Sequence, residues 1–376
     1  MRRRLLTTAG TVLAATQFPG VATSAVADNG VRLQPLPTRI FKTRDAGNER
    51  TESWTLWLLV ETSTPRALKV QSANIQLLCN KQIVRATRYG EDGVRALAIV
   101  LPLSPKLPDG GAPPAPIYWP QAIRIRCTEA AAAKIDAMRV ELTLAEVGNQ
   151  VRAELVLSVE SYDPKTVLIY PFKCKGIITN AGVTNGGHRN RSGQFAIDGV
   201  GLDAGYGVHI AGGGRKSEDY AGWGRTLIAP AAGTVVRARA NRPDQPDPEN
   251  SDPKFYAPEY PNGGDPGNHV VIDHGNAEFS MIAHFQARSV LVAVGDRVLQ
   301  GQTLGKLGSS ADTETPHVHY QLQSGPDHEW SDGLPCKFSN VESPLLVRGT
   351  YFDAKWLATR RWPNEGVEHV KRVAAT

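Results

Sequence analysis

Several features that would point to common functions are scarce in this chain. No run of lysine or arginine is dense enough to follow a phosphate backbone, and the formal net charge over 376 residues is only +5. Three of those charges belong to Arg2, Arg3 and Arg4, which leaves +2 for residues 28–376. So near-neutral a balance gives no reason to expect nucleic acid as a partner. No stretch reaches about 18 uninterrupted apolar residues, so no stable membrane span is expected once an amino-terminal leader is removed. Only four cysteines occur, Cys79, Cys127, Cys174 and Cys336, and none form a C-x-x-C pair. That argues against a thiolate zinc cluster. In an exported chain an even count favours disulfides. Cys79 with Cys127, and Cys174 with Cys336, are the expected pairs, because each then lies inside one candidate domain.

What is present begins with the leader. Arg2-Arg3-Arg4 precede a mostly apolar run from Leu5 to Thr16, and Ala25-Val26-Ala27 stands just before Asp28. Residues 1–27 therefore read as a secretory signal peptide, and the mature chain is expected in the periplasm or outside the cell. The sequence does not separate the general export route from the twin-arginine one.

From 28 to 170 the signals are those of strands. Period-two alternation appears at Ile123-Arg124-Ile125-Arg126 and at Leu155–Val159, and short apolar runs appear at Trp54–Val60 and Leu97–Leu101. Turn-rich pieces such as Ser104–Gly111 separate them, and Glu129–Lys134 is the one short helix candidate. This half is expected to be a β-sandwich accessory domain. Beyond Phe172 the composition shifts to glycine and histidine. Short apolar strands recur at Val235–Ala238, Val270–Ile272 and Met281–Ala283, interrupted by insertions at Asp203–Gly224 and Asn241–Asn268. The expected fold class is all-β: a β-sandwich over 28–170, an antiparallel sheet domain over 171–350, and a tail over 351–376.

The segment richest in chemistry is Pro316-His317-Val318-His319-Tyr320. Residues two apart on a strand face one side, so His317 and His319 offer both imidazoles to one point. Neutral imidazole is a favoured zinc ligand. The same pattern also suits the polar face of an exposed strand. Upstream stand Gly187-His188, then Phe195-Ala196-Ile197-Asp198, then Met281-Ile282-Ala283-His284-Phe285. Gly295–Gly305 and Gly308-Ser309 complete the series.

In order and local wording these motifs resemble the LytM and lysostaphin family of zinc metallopeptidases, the M23 peptidases, over roughly residues 172–330. The resemblance implies one Zn2+ per chain held by His188, Asp198 and His319, with His284 and His317 moving protons. It implies an endopeptidase that hydrolyses peptide bonds in peptidoglycan stem or cross-bridge peptides by attack of a zinc-activated water. The alternative is a catalytically silent module of the same type that binds cell wall or regulates another hydrolase. One departure stands out: nine residues separate His188 from Asp198, where the family often has three. Of the remaining histidines, His274 reads as a turn support, and His209, His269, His328 and His369 as surface residues. The sequence leaves the cleaved bond and the oligomeric state open.

Overall fold

The computed structural model describes residues 30–36, 39–45, 48–62, 67–98, 118–181, 188, 192–210, 212–258, 264–340, 346 and 348–353. The leader, the Ser104–Gly111 piece and His369 lie outside them.

Among the described residues the chain is all-β apart from one short α-helix and several 3-10 turns. The first sheet uses β1 (Val31–Leu36), β2 (Ile40–Asp45), β3 (Asn48–Thr62), β4 (Lys69–Cys79), β5 (Gln82–Tyr89), β6 (Tyr118–Ala130), β7 (Ala137–Glu146) and β8 (Asn149–Ser161). Helix α1 (Glu91–Leu97) lies between β5 and β6. The strand order is β1-β3-β2-β8-β7-β4-β5, with β6 paired to β3. A parallel β2–β8 pair joins two antiparallel halves, and both halves supply one core that includes Leu33, Trp54, Leu56, Ile123, Met138, Leu142 and Leu155. Strand β8 shows why the segment folds this way. Val151, Ala153, Leu155, Leu157 and Val159 point inward and are buried, while the residues between them face water.

The second sheet is built from β9 (Lys175–Ala181), β10 (Ile197–Gly201), β12 (Gly233–Arg239), β13 (His269–Asp273), β14 (Phe279–Ala283), β15 (Arg297–Val298), β17 (His317–Gln323), β18 (Gly333–Leu334) and β19 (Tyr351–Asp353). Its order is β15-β12-β13-β14-β17-β10-β9-β19, with β18 on β17, and β11 (Thr226–Ile228) pairs separately with β16 (Thr303–Lys306). Tyr351–Asp353 thus forms an edge strand of this sheet, although the sequence pattern places it in the tail. The core behind the sheet gathers Tyr170, Phe172, Ile178, Val235, Ile272, Ile282, Val318, Tyr320 and Leu322. At Gly199, where the β9–β10 register shifts, a Cβ would lie 2.2 Å from the buried Tyr170 hydroxyl. Only glycine fits there.

The two sheets interlock. Phe41 on β2 belongs to the second core and stacks on Tyr162 at 4.9 Å. The buried Glu278 carboxylate accepts from Tyr162 Oη (2.6 Å), from the backbone N–H of Lys165 and Thr166 (both 2.8 Å) and from Thr166 Oγ1. Gln194 donates to the Thr55 carbonyl at 2.8 Å.

Three sequence expectations need correction. No disulfide joins the four cysteines: Cys127 lies against Met138 Sδ at 3.9 Å and Cys336 is buried in the second core. Leu97 ends α1 rather than starting a strand. Glu129 and Ala130 continue β6, because cross-strand pairing with Glu52 and Thr51 outweighs local helix preference, and only Ala131–Ala133 forms a 3-10 turn.

Candidate metal centre

Three neighbouring strands converge on one point. Asp198 on β10 lies directly across from His319 on β17, and Ala283, the last residue of β14, lies across from His319 on its other side. His284 follows at once. Its left-handed backbone (φ 61°) ends the strand and turns its ring back toward the sheet. His317, two residues before His319, shares its face. His188 reaches the same point from outside the strands.

His188 Nε2 stands 3.0 Å from Asp198 Oδ2, and His319 Nδ1 stands 3.1 Å from both His188 Nε2 and Asp198 Oδ1. Asp198 and His319 are buried, and the His188 side chain keeps about a fifth of its surface (23%). The structure therefore brings together all three residues that the sequence pattern nominated for a metal. Asn180 Nδ2 donates to Asp198 Oδ2 at 3.2 Å, and His317 Nε2 lies 3.6 Å from Asp198 Oδ1. The His284 ring centre lies 4.7 Å from that of His317 and 6.0 Å from that of His319.

The far nitrogen of three of these rings is engaged, which fixes where their protons sit. His284 Nδ1 donates to the Ser310 carbonyl at 2.9 Å, and His317 Nδ1 donates to the Thr315 carbonyl at 2.7 Å. A carbonyl can only accept, so each neutral ring keeps its Nε2 lone pair free. His319 is arranged the other way: its Nε2 meets Gln321 Oε1 at 2.9 Å, which leaves the lone pair on Nδ1. Burial would raise the Asp198 carboxyl. The nearby His188 and His317 rings and a hydrogen bond from His188 outweigh it and hold that carboxyl well below its ordinary range. Burial, reinforced by His317 and His319, holds the His284 ring well below its ordinary value and hence neutral.

The donor set suits a cation. When the His319 ring is neutral with its proton on Nε2, its Nδ1 lone pair faces the ionised Asp198 Oδ1 at 3.1 Å, acceptor against acceptor in a buried place. A tetrahedral zinc bound at about 2.0–2.1 Å would set its ligand atoms about 3.3–3.4 Å apart. His319 Nδ1 and His188 Nε2, 3.1 Å apart, lie just inside that edge, and each of them has one carboxylate oxygen of Asp198 about as close.

Residues 215–329 match the profile of peptidase family M23. This stretch is an M23 peptidase domain. The match holds His284, His317 and His319 and begins after His188 and Asp198. Over 56 residues the chain is 46% identical to the peptidoglycan DD-endopeptidase ShyC of Vibrio cholerae and 39% identical to ShyA of the same organism. Those segments span 15% of this chain, and 12% and 13% of the two relatives, respectively. The crystal structure of the catalytic domain of the prophage-encoded M23 protein EnpA from Enterococcus faecalis is 18% identical and covers 43% of this chain and 88% of that one. Its TM-score of 0.26 is too low to carry detail.

Described residues of the two insertions pack around the centre. Within Asn241–Asn268, buried Asp265 accepts from the Ala257 and Gly267 amides (2.5 and 2.8 Å), Pro266 O accepts from His284 N (3.3 Å), and Asn268 N donates to Ser310 Oγ (2.9 Å). The insertion thus grips the loop that holds the His284 ring. Asp203–Gly224 packs on it through Tyr220 Oη to Glu249 (2.9 Å) and Ser217 Oγ to the Gln245 carbonyl (2.5 Å).

His274 supports a turn, bonded to the Ala232 carbonyl (2.8 Å) and to Ser280 Oγ (2.7 Å). His209 is half-buried on Tyr220, with ring centres 4.3 Å apart. His269 and His328, expected at the surface, are instead buried with ring centres 6.1 Å apart, and burial holds both near a pKa of about 4. A lone histidine in a polar loop gives no local sign of such packing. Sequence reasoning also passed over Gln321 and Gln323, although they continue the period-two face of His317 and His319.

Proposed function

We propose that this chain is a zinc-dependent endopeptidase that cleaves peptide bonds in peptidoglycan, stem or cross-bridge, outside the cytoplasm. The observation that carries the reading is the meeting of His188 Nε2, Asp198 and His319 Nδ1, one ligand atom from each within reach of a single cation. Support for the substrate comes from the DD-endopeptidase relatives, and support for export from the leader-like pattern in residues 1–27.

His188, Asp198 and His319 would hold one zinc ion, and three protein ligands leave a fourth position open. When bound, zinc supplies a Lewis acid that makes water acidic near neutral pH and polarises a carbonyl. The chain's own residues do the rest. His284 and His317 present free Nε2 lone pairs beside that position, so either can take a proton from an attacking water and return it to the leaving amine. Once protonated, the same rings donate to the oxyanion of the tetrahedral intermediate. The Ser310 and Thr315 carbonyls keep both rings in the tautomer this requires.

Two measurements on the purified chain test the reading together: metal content by mass spectrometry, and digestion of defined cross-linked muropeptides with fragments identified by mass. About one zinc per chain and a cleaved peptide bond are expected. Zinc without cleavage would leave a silent wall-binding or regulatory module, and a metal-free chain would refute the centre itself.

A further inference from the structure

Strand β17 carries a second row of buried polar groups. On the face shared by His317 and His319 stand Gln321 and Gln323, both essentially inaccessible to water. Across β14 their register partners are Met281 and Phe279, neither of which offers an amide a strong hydrogen-bonding partner. Their polar atoms meet each other instead. His319 Nε2 contacts Gln321 Oε1 at 2.9 Å, Gln321 Nε2 donates to Gln323 Oε1, and Gln323 Nε2 donates to the Gly325 carbonyl at 2.7 Å.

This row can run in only one direction. The Gly325 carbonyl has no hydrogen, so Gln323 must turn its NH2 toward it and its oxygen toward Gln321. Gln321 must then give its NH2 to Gln323 and its oxygen to His319. That oxygen accepts only, so His319 must carry its proton on Nε2. Reversing any member sets two like poles together in a buried place, at a cost of about 1–3 kcal/mol for each group left unpaired.

We infer that Gln321 and Gln323 are positioning residues: they preset the tautomer of the neutral His319 ring, so that its Nδ1 lone pair faces Asp198 and His188 in the metal-free chain. The inference rests on the reading of His319 as a ligand. Without the relay, the Nδ1 proton of the other tautomer would bond Asp198 at the observed 3.1 Å and remove the lone pair from the centre. The relay blocks that alternative, so the neutral His319 ring has no Nδ1 proton for the metal to displace.

The test uses the whole chain, metal-free and labelled with 15N-histidine. Long-range 1H–15N correlation spectra identify the protonated nitrogen of each ring. The wild type is expected to show His319 protonated at Nε2 alone. Gln321→Leu is expected to show a substantial fraction protonated at Nδ1 and to weaken zinc binding, measured by competition with a chelator, by roughly tenfold to a hundredfold. Gln321→Glu gives up the donor to Gln323 but keeps an acceptor facing His319, so it should keep the proton of the neutral ring on Nε2. If Gln321→Leu fails to fold, Gln323→Leu asks the same question one link further out, with a smaller shift in the same direction. A wild type protonated at Nδ1, or a leucine variant with unchanged tautomer and unchanged affinity, overturns the inference. A chain that binds no zinc but whose His319 changes tautomer as described would remove the zinc reading and leave the relay standing.

Discussion

Strands β8 and β17 obey the same period-two rule and differ in what lies on the second face. In β8 the inward residues Val151 to Val159 fill the first core, and the residues between them meet water, which satisfies any polar group at little cost. In β17 the inward residues Val318, Tyr320 and Leu322 fill the second core in the same way, yet the opposite face, His317 to Gln323, is covered as well. A buried polar group without a partner is expensive, so every polar atom on that face needs one inside the protein. The carbonyls of Thr315 and Gly325, and the Gln321 and Gln323 amides, satisfy much of that need. At the centre His319 Nδ1 meets one Asp198 oxygen, and Asn180 donates to the other. The polar groups on that face of β17 must find partners within the fold, whereas the outer face of β8 needs only to meet water.

The hardest test of that contrast removes the groups that meet. His188→Ala, Asp198→Ala and His319→Ala each delete one of three candidate ligands. Each is expected to abolish stoichiometric zinc and to lower turnover on the order of a thousandfold or more. Metal analysis and a muropeptide assay on the same preparation check both. Ordinary turnover with full zinc in any one of them would take that residue out of the centre.

The next test separates holding metal from moving protons. His284→Ala and His317→Ala leave the three ligands in place, so zinc should remain while the rate falls about a hundredfold or more. If His317→Ala loses zinc and His319→Ala keeps it, the roles within the H-x-H pair are exchanged.

A third test moves to the interlock. Glu278 is buried, which by itself would raise its carboxyl. Donors from Thr166, Tyr162 and the Lys165 and Thr166 amides outweigh that and lower it from the ordinary glutamate value of 4.5. The folded chain therefore binds that proton less readily than the unfolded one. Its stabilising effect is complete above about pH 4.5 and is lost as pH falls through the lowered folded value. Glu278→Gln keeps the shape but gives up the charge and turns an NH2 toward donors, at an expected cost on the order of 3 kcal/mol near neutral pH. Denaturant titrations at pH 7 and pH 3 should show the gap between variant and wild type narrowing at the lower pH. A gap that stays constant would mean the carboxylate charge does not matter there.

Much of this was legible in the sequence because the signals are local. Period two fixes which residues of β8 and β17 share a face, and His317-Val318-His319 displays its pairing without any knowledge of the sheet. Asp198 and His284 were found through their neighbouring words, and the strands carry them to the same point. What escaped depends on partners far along the chain. The unbridged cysteines, the burial of His269 and His328, and the grip of Pro266 and Asn268 on the His284 loop are all settled by tertiary packing. Glu278 looks like an ordinary turn carboxylate until residues 162–166 arrive, more than 100 positions earlier in sequence. Gln321 and Gln323 differ from these. Their spacing from His319 is visible, but glutamine on a strand usually faces solvent, and only the burial of the second face gives the row its meaning.

The smallest expected effect is on the outer face of β8. Val156 stands there with 45% of its surface exposed, across from Arg139 on β7, between Leu155 and Leu157 of the core. Val156→Thr keeps the β-branched shape that suits a strand and exchanges one methyl for a hydroxyl that water can satisfy. Neither a cavity nor an unpaired polar group results, so stability should change by no more than about 0.5 kcal/mol, with zinc content and rate unaltered. The same exchange of apolar for polar would be ruinous at Leu155 or Leu157, one residue away, because those side chains point inward. A denaturant titration decides the matter: a loss of several kcal/mol for Val156→Thr would mean that the outer face of β8 is covered by something, and the contrast with β17 would no longer hold.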